Sequence, residues 1–259
     1  ESPWQHLVSL TPGQMTTHSL LIGATGSGKT NLLHHLISQD LCRGHSVVLL
    51  DLRGDLVSAT LELCALCDVR PDLVKVIDLR EKQAPFGFNP LFGAGEPYYR
   101  ALGVLDVIAA ESESWGVQLA ETLRNALLLL AETGEPLTRI ESLMYDRAVR
   151  LQLLEKSEDE SLQGFWNRFD VFSGDRQAAL VMPVLNKVSM LLATKTLRQI
   201  LGHPAPIDLG RHLNTKGSVT LISLAVDELH ASAKMIGRMA LASICREIFA
   251  RASMPEGVR

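Results

Sequence analysis

Apolar residues follow two rhythms along the chain. Leu20-Leu21-Ile22, Val47 to Leu50, Val74 to Leu79 and Val219 to Ala225 are short continuous runs. Such runs mark strands buried on both faces of a parallel sheet. Between the first of them, apolar positions recur at helical spacing: Leu32, Leu33, Leu36 and Ile37, then Leu56 to Cys67. Gly44 and Pro71 supply the stops. Strand, helix, strand, helix, strand predicts a parallel sheet with right-handed crossovers.

The rhythm changes near Pro85. From Tyr98 to about Leu201 every strong pattern is helical. Leu102, Leu105, Ile108 and Ala109 share one face; Leu119, Leu123, Ala126, Leu127 and Leu130 share another. Thr138-Arg139-Ile140-Glu141 fits a capping box. Ser157 to Glu160 is a polar break, and Ala178 to Ala193 is a further helix carrying Pro183. Gly202, Pro204 and Pro206 end the block. The α/β pattern then resumes, with a helix over Ala231 to Arg251. The expected organisation is an α/β nucleotide-binding domain in two parts, 1–97 and 207–259, interrupted by an all-α insertion domain, 98–206.

Composition narrows the class. Of 259 residues, 46% are hydrophobic and 21% charged, which excludes a disordered chain. No run of 18 apolar residues occurs, so no spanning helix is expected. A net charge of −4 argues against a uniformly basic nucleic-acid coat, but not against a local basic groove. Four cysteines in a chain of this size suggest reduced thiols and a cytoplasmic protein. Cys64-x-x-Cys67 lacks a second pair and a neighbouring histidine, and reads as part of a core.

One motif carries clear chemistry. Gly23-Ala24-Thr25-Gly26-Ser27-Gly28-Lys29-Thr30 fits G-x-x-x-x-G-K-[ST] between an expected strand and an expected helix. Glycines let successive backbone N–H groups turn towards phosphate oxygens, and the helix N-terminus adds positive potential behind them. Lys29 reaches the β- and γ-phosphates, and the Thr30 hydroxyl is the metal ligand for Mg²⁺. ATP and Mg²⁺ are the expected cofactors. Hydrolysis also requires a carboxylate. Asp51-Leu52-Arg53-Gly54-Asp55 follows a strand whose carboxyl end faces ligand in a parallel sheet. Asp51 is a candidate for the nucleotide site, and Asp55 joins Lys29 as a candidate catalytic group. A plain turn with Asp55 capping the next helix is the competing reading. Asp227-Glu228 also follows an apolar run, the Walker B pattern, and equally suits the first turn of a helix.

These segments resemble a family. His18 to Thr30 resembles the nucleotide loop of the HerA/FtsK superfamily of ring-forming ATPases. Asp51 to Asp55, Phe86-Gly87-Phe88-Asn89-Pro90-Leu91, Trp115-Gly116, Phe165-Trp166-x-x-Phe169 and Asn186-Lys187 resemble segments of type IV secretion coupling proteins, the conjugative DNA-transfer ATPases. The resemblance implies a RecA-like P-loop NTPase fold with an all-α insertion. It implies a hexameric ring that uses ATP to translocate DNA, or protein substrates, into a secretion or conjugation apparatus. It places the true Walker B strand and the arginine finger beyond Arg259, and a membrane position where an anchor precedes Glu1. Two other readings remain: a HerA-like ATPase of DNA-end processing or defence, and a nucleotide-gated docking platform with little turnover.

The remaining candidates are weaker. Arg124, Arg139, Arg147, Arg150, Arg168 and Arg176 are dispersed among acidic residues and read as solvated or paired. Phe165, Trp166, Phe169 and Phe172 suit a core, with base stacking as the alternative. His34-His35 and His203 read as packing or surface residues.

Overall fold

The computed structural model describes residues 9, 11–15, 17–82, 86–93 and 95–251. Pro85, where the hydrophobic rhythm changes, lies outside them. Helix α1 (Pro12–Met15) and α2 (Lys29–Cys42) lead into β1 (Val47–Asp51), α3 (Asp55–Leu66) and β2 (Val74–Asp78). A helical block follows: α4 (Pro97–Ala110), α5 (Val117–Glu132), α6 (Ile140–Tyr145), α7 (Arg147–Leu154), α8 (Glu160–Asp170), α9 (Gly174–Ser189) and α10 (Lys195–Leu201). Then come α11 (Leu209–Leu213), β3 (Val219–Ser223) and α12 (Val226–Ala250).

The three strands form a parallel sheet in the order β1-β3-β2. β3, last in sequence, lies in the middle. Val219 sits opposite Val47 on one side and Val74 on the other. All five β3 residues are buried, as a central strand covered on both faces must be.

The two-residue period of the strands splits the core. Val219 and Leu221 of β3, with Val47, Leu49, Val74 and Val76, face Leu41, Val57 and Cys64 of α2 and α3. Ile222 and Leu224, with Leu50, Ile77 and Leu79, face the other way. There they join one continuous core with α4, α12 and the whole helical block. Its centre includes Leu123, Leu127, Leu130, Trp166 and Phe169, so the predicted apolar face of α5 is the buried one.

Several expectations need correction. Leu20-Leu21-Ile22 is not a strand: Leu20 and Ile22 are 82% and 84% exposed. A strand exists only through ladder partners, and no described residue pairs with this short run. Thr138 caps nothing. Pro136 opens a 3₁₀ turn over Leu137–Arg139, and this turn takes Thr138 inside it and moves the start of α6 to Ile140. The helix carrying Pro183 is α9, Gly174–Ser189, rather than Ala178 to Ala193. The expected helix start at Ala231 holds for the regular part of α12, since the His230 backbone just before it is non-helical. Cys42 and Cys67 are not free thiols. The C-terminal ends of α2 and α3 bring their Cα atoms to 5.0 Å and the pair forms a disulfide. Cys64 stays a buried thiol, with burial pushing its pKa up.

Arg150 is one of the paired arginines. It is buried against Asp170, to which its Nε donates at 2.9 Å, and its Nη1 donates to the carbonyls of Leu143 and Met144. A buried ion needs this full set of partners. No helix among the described residues is long and apolar enough to cross a membrane.

Candidate functional site

The motif Gly23 to Thr30 forms an exposed turn that runs directly into α2. Gly26 (φ +81°) and Gly28 (φ +88°) hold the left-handed conformation that reverses the chain. Gly23 is closed in differently: a Cβ there would collide with the Ser27 hydroxyl. Gly28 is the N-cap of α2 and brings no side chain, so the first N–H groups of the helix have no side-chain acceptor. Lys29 Nζ folds back across the turn and donates to the carbonyls of Gly23 (2.7 Å) and Ala24 (2.8 Å). The result is a tight glycine turn, a helix N-terminus without a side-chain cap and a primary ammonium on one short segment. This donor set fits a polyphosphate. Thr30, one residue into α2, carries an exposed hydroxyl suited to a phosphate-bound Mg²⁺.

The carboxyl ends of the strands gather the charged residues. Asp51 ends β1. Its Oδ2 accepts the N–H groups of Leu56 (2.8 Å) and Val57 (3.4 Å), and its Oδ1 accepts that of Arg53 (3.2 Å). Asp51, rather than Asp55, therefore caps α3. Asp55 is the first residue of that helix, with a side chain 84% exposed and 4.0 Å from Arg53. No hydrogen bond or ion pair among the described residues joins Asp51 or Asp55 to Lys29 or Thr30.

β2 ends in the same way. Asp78 accepts the N–H of Arg80 at 2.9 Å and pairs with its guanidinium at 3.1 Å. Arg80 also donates to Ser223 Oγ at the end of β3 (3.3 Å) and lies 4.0 Å from Glu228. The hydrogen-bonded Asp78 carboxylate holds the Arg80 guanidinium above its ordinary pKa, with Glu228 and Asp227 adding to the effect. The charge of Asp227-Glu228 is thus answered by an arginine. No cluster of three His, Cys, Asp or Glu side chains able to hold a metal occurs among the described residues. Gly54 (φ +98°) brings the Asp51–Asp55 turn onto this group, and a Cβ there would fall 2.6 Å from both Arg80 Nη2 and Ser223 Oγ.

Sequence reasoning missed Asp78, Arg80 and Ser223. One signal was available: Asp-Leu-Arg closes both β1 and β2, as Asp51-Leu52-Arg53 and Asp78-Leu79-Arg80.

His34 links the helix behind the loop to α3, with Nε2 3.4 Å from the Ala59 carbonyl. His35 contacts Gln39, and His203 turns back on Ala205.

Residues 6–65 match the family described as "Type IV secretion-system coupling protein DNA-binding domain" (TrwB_AAD_bind). No curated protein matches the chain in sequence. Among solved structures, it is similar to the plasmid coupling protein TrwB in complex with the non-hydrolysable GTP analogue GDPNP. The TM-score is 0.54 at 17% identity, over 90% of this chain and 52% of that one. It is also similar to the unbound monoclinic form of the bacterial conjugative coupling protein TrwBdeltaN70. There the TM-score is 0.51 at 17% identity, over 90% of this chain and 51% of that one. A third match is TrwB with ADP and Mg²⁺, at a TM-score of 0.50 and 17% identity, over 90% of this chain and 52% of that one. The chain spans about half the length of these structures. At this identity the likeness is one of fold: a mixed α/β chain with a small parallel sheet and many helices. Together with the match over 6–65, it relates the chain to the type IV coupling proteins.

Proposed function

We propose that this chain is the ATP-binding module of a RecA-like, ring-forming coupling ATPase that feeds DNA into a type IV secretion or conjugation apparatus. The observation that carries the reading is the Gly23–Thr30 turn, with its glycine conformations, uncapped helix start and inward-folded Lys29. Lys29 and the loop amides bind phosphate; the Thr30 hydroxyl holds Mg²⁺, which would neutralise charge developing on the transferred phosphoryl group. Asp55 orients water at the γ-phosphate side. Asp51 shapes the turn that carries Asp55. Residues 1–97 and 207–259 act as the nucleotide-binding part, and 98–206 as the helical domain that meets the substrate. The nucleotide-containing TrwB structures and the match over 6–65 support this reading.

A thermal shift with Mg²⁺-ATP tests it. At a hundred times Kd, bound nucleotide raises stability by about 2.7 kcal/mol. Lys29→Ala is expected to abolish that increment while leaving the unliganded melt unchanged. An equal shift in wild type and Lys29→Ala overturns the nucleotide site. A second reading, a nucleotide-gated docking platform with little turnover, is favoured by one observation: both Asp51 oxygens are occupied by backbone N–H groups. Hydrolysis stimulated by single-stranded DNA decides for the motor; saturable binding without turnover decides for the platform.

A further inference from the structure

We propose that the groove between α5, α8 and α9 binds a segment of single-stranded nucleic acid, with bases on its aromatic faces and phosphates on its arginines. The proposal rests on the reading of the chain as a DNA-handling module and names a place where the strand lies. The groove is about 250 Å³ and includes Gln118, Glu121, Phe165, Arg168, Phe172 and Arg176. It is smaller than the roughly 300–1,000 Å³ pockets that enclose whole small ligands. It therefore suits part of a chain that continues outside it.

The aromatic cluster divides by burial. Trp166 and Phe169 are fully buried and serve the core. Phe165 and Phe172 are only half-buried. Each is braced edge-on by a buried ring, Phe165 by Trp166 at 5.1 Å and Phe172 by Phe169 at 6.5 Å. Braced rings lose little conformational freedom when a base stacks on them. Arg176 lies over Phe172, its guanidinium carbon 3.9 Å from the ring centre. A guanidinium stacked on a ring offers a further planar, cationic surface to a base or a phosphate.

The arginines separate in the same way. Arg147 and Arg150 both pair with Asp170. Arg168 and Arg176 are exposed and make no ion pair among the described residues. Glu121 is the one carboxylate lining the groove, so the lining carries a net positive charge in a chain of net charge −4. An acidic peptide would satisfy the guanidinium groups but not the Phe165 ring or the stacked surface of the Arg176–Phe172 pair. A duplex would satisfy them too, but keeps its bases stacked inside. A single strand uses both features.

The test is fluorescence anisotropy with a fluorescein-labelled oligothymidylate of about twelve nucleotides, within the usual range of single-strand site sizes. It is read between about 50 and 200 mM salt. Phe172→Leu keeps apolar volume but removes the ring, and is expected to weaken binding about 5- to 150-fold. The exposed double substitution Arg168→Ala and Arg176→Ala is expected to lower the magnitude of the salt slope by about 1.4, from two phosphate contacts at about 0.7 each. It also serves if Phe172→Leu fails to fold. Wild-type binding that is unchanged in both variants overturns the groove and leaves the DNA reading standing. No single-strand binding by the wild type overturns both. Tighter binding of a polyglutamate peptide than of the oligonucleotide overturns the choice of ligand.

Discussion

The two faces of the small sheet are covered in different ways. On one, α4, α12 and the helical block form a continuous core holding Trp166, Phe169 and the apolar face of α5. On the other, α2 and α3 rest on a cluster of five buried residues, Leu41, Val57, Cys64, Val219 and Leu221. That thin face carries the Gly23–Thr30 turn and is clamped by the Cys42–Cys67 disulfide. The thick face carries stability; the thin face carries the proposed chemistry. A loop that must close on a ligand belongs at the weakly packed end of a structure.

The largest expected effect falls on the thick face. Trp166 is fully buried, so Trp166→Ala removes a large side chain from a filled core and is expected to cost about 3–5 kcal/mol. Leu20 is 82% exposed, and Leu20→Ala is expected to stay within about 0.5 kcal/mol. Chemical denaturation measures both. Comparable costs at the two sites would show that Leu20 is packed like a strand residue rather than exposed.

Next in size is the disulfide. It closes a span of 25 residues, for which chain entropy gives about 3.5 kcal/mol. Reduction is expected to lower stability by about that amount, with hydrogen exchange rising first in α2 and α3. Equal loss of protection in α5 would show that the two faces unfold as one. The sequence did not reveal this bond. Cys42 and Cys67 lie at the ends of two different helices, and only the packing of α2 against α3 brings them together. The local patterns were more legible. Val47 to Leu50, Val74 to Leu79 and Val219 to Ala225 overlap the three strands, and the predicted face of α5 is the buried one. Strand order was not legible, because periodicity shows which residues are buried but not that β3 inserts between β1 and β2. The Gly23–Thr30 turn before α2 could be read from the sequence because its residues are contiguous. The Arg80 group could not, because Asp78, Ser223 and Glu228 meet only through the sheet.

The smallest effect separates two neighbouring carboxylates on the thin face. Asp51 accepts backbone N–H groups at the start of α3, so Asp51→Ala removes a cap and is expected to cost about 1 kcal/mol. Asp55 lies in the first turn with its side chain in solvent, so Asp55→Ala loses only a screened helix-dipole contribution of about 0.3–1 kcal/mol. The order reverses for turnover. If Asp55 orients water, Asp55→Ala depresses ATP hydrolysis at saturating nucleotide without weakening nucleotide binding. Asp51→Ala then acts through the turn: stability falls first, and hydrolysis falls only as the turn loosens. Asn at position 51 keeps one acceptor and restores most of the lost stability, whereas Asn at 55 does not restore hydrolysis. Turnover unchanged in Asp55→Ala would remove Asp55 from the chemistry and leave the Asp51–Asp55 turn a structural cap.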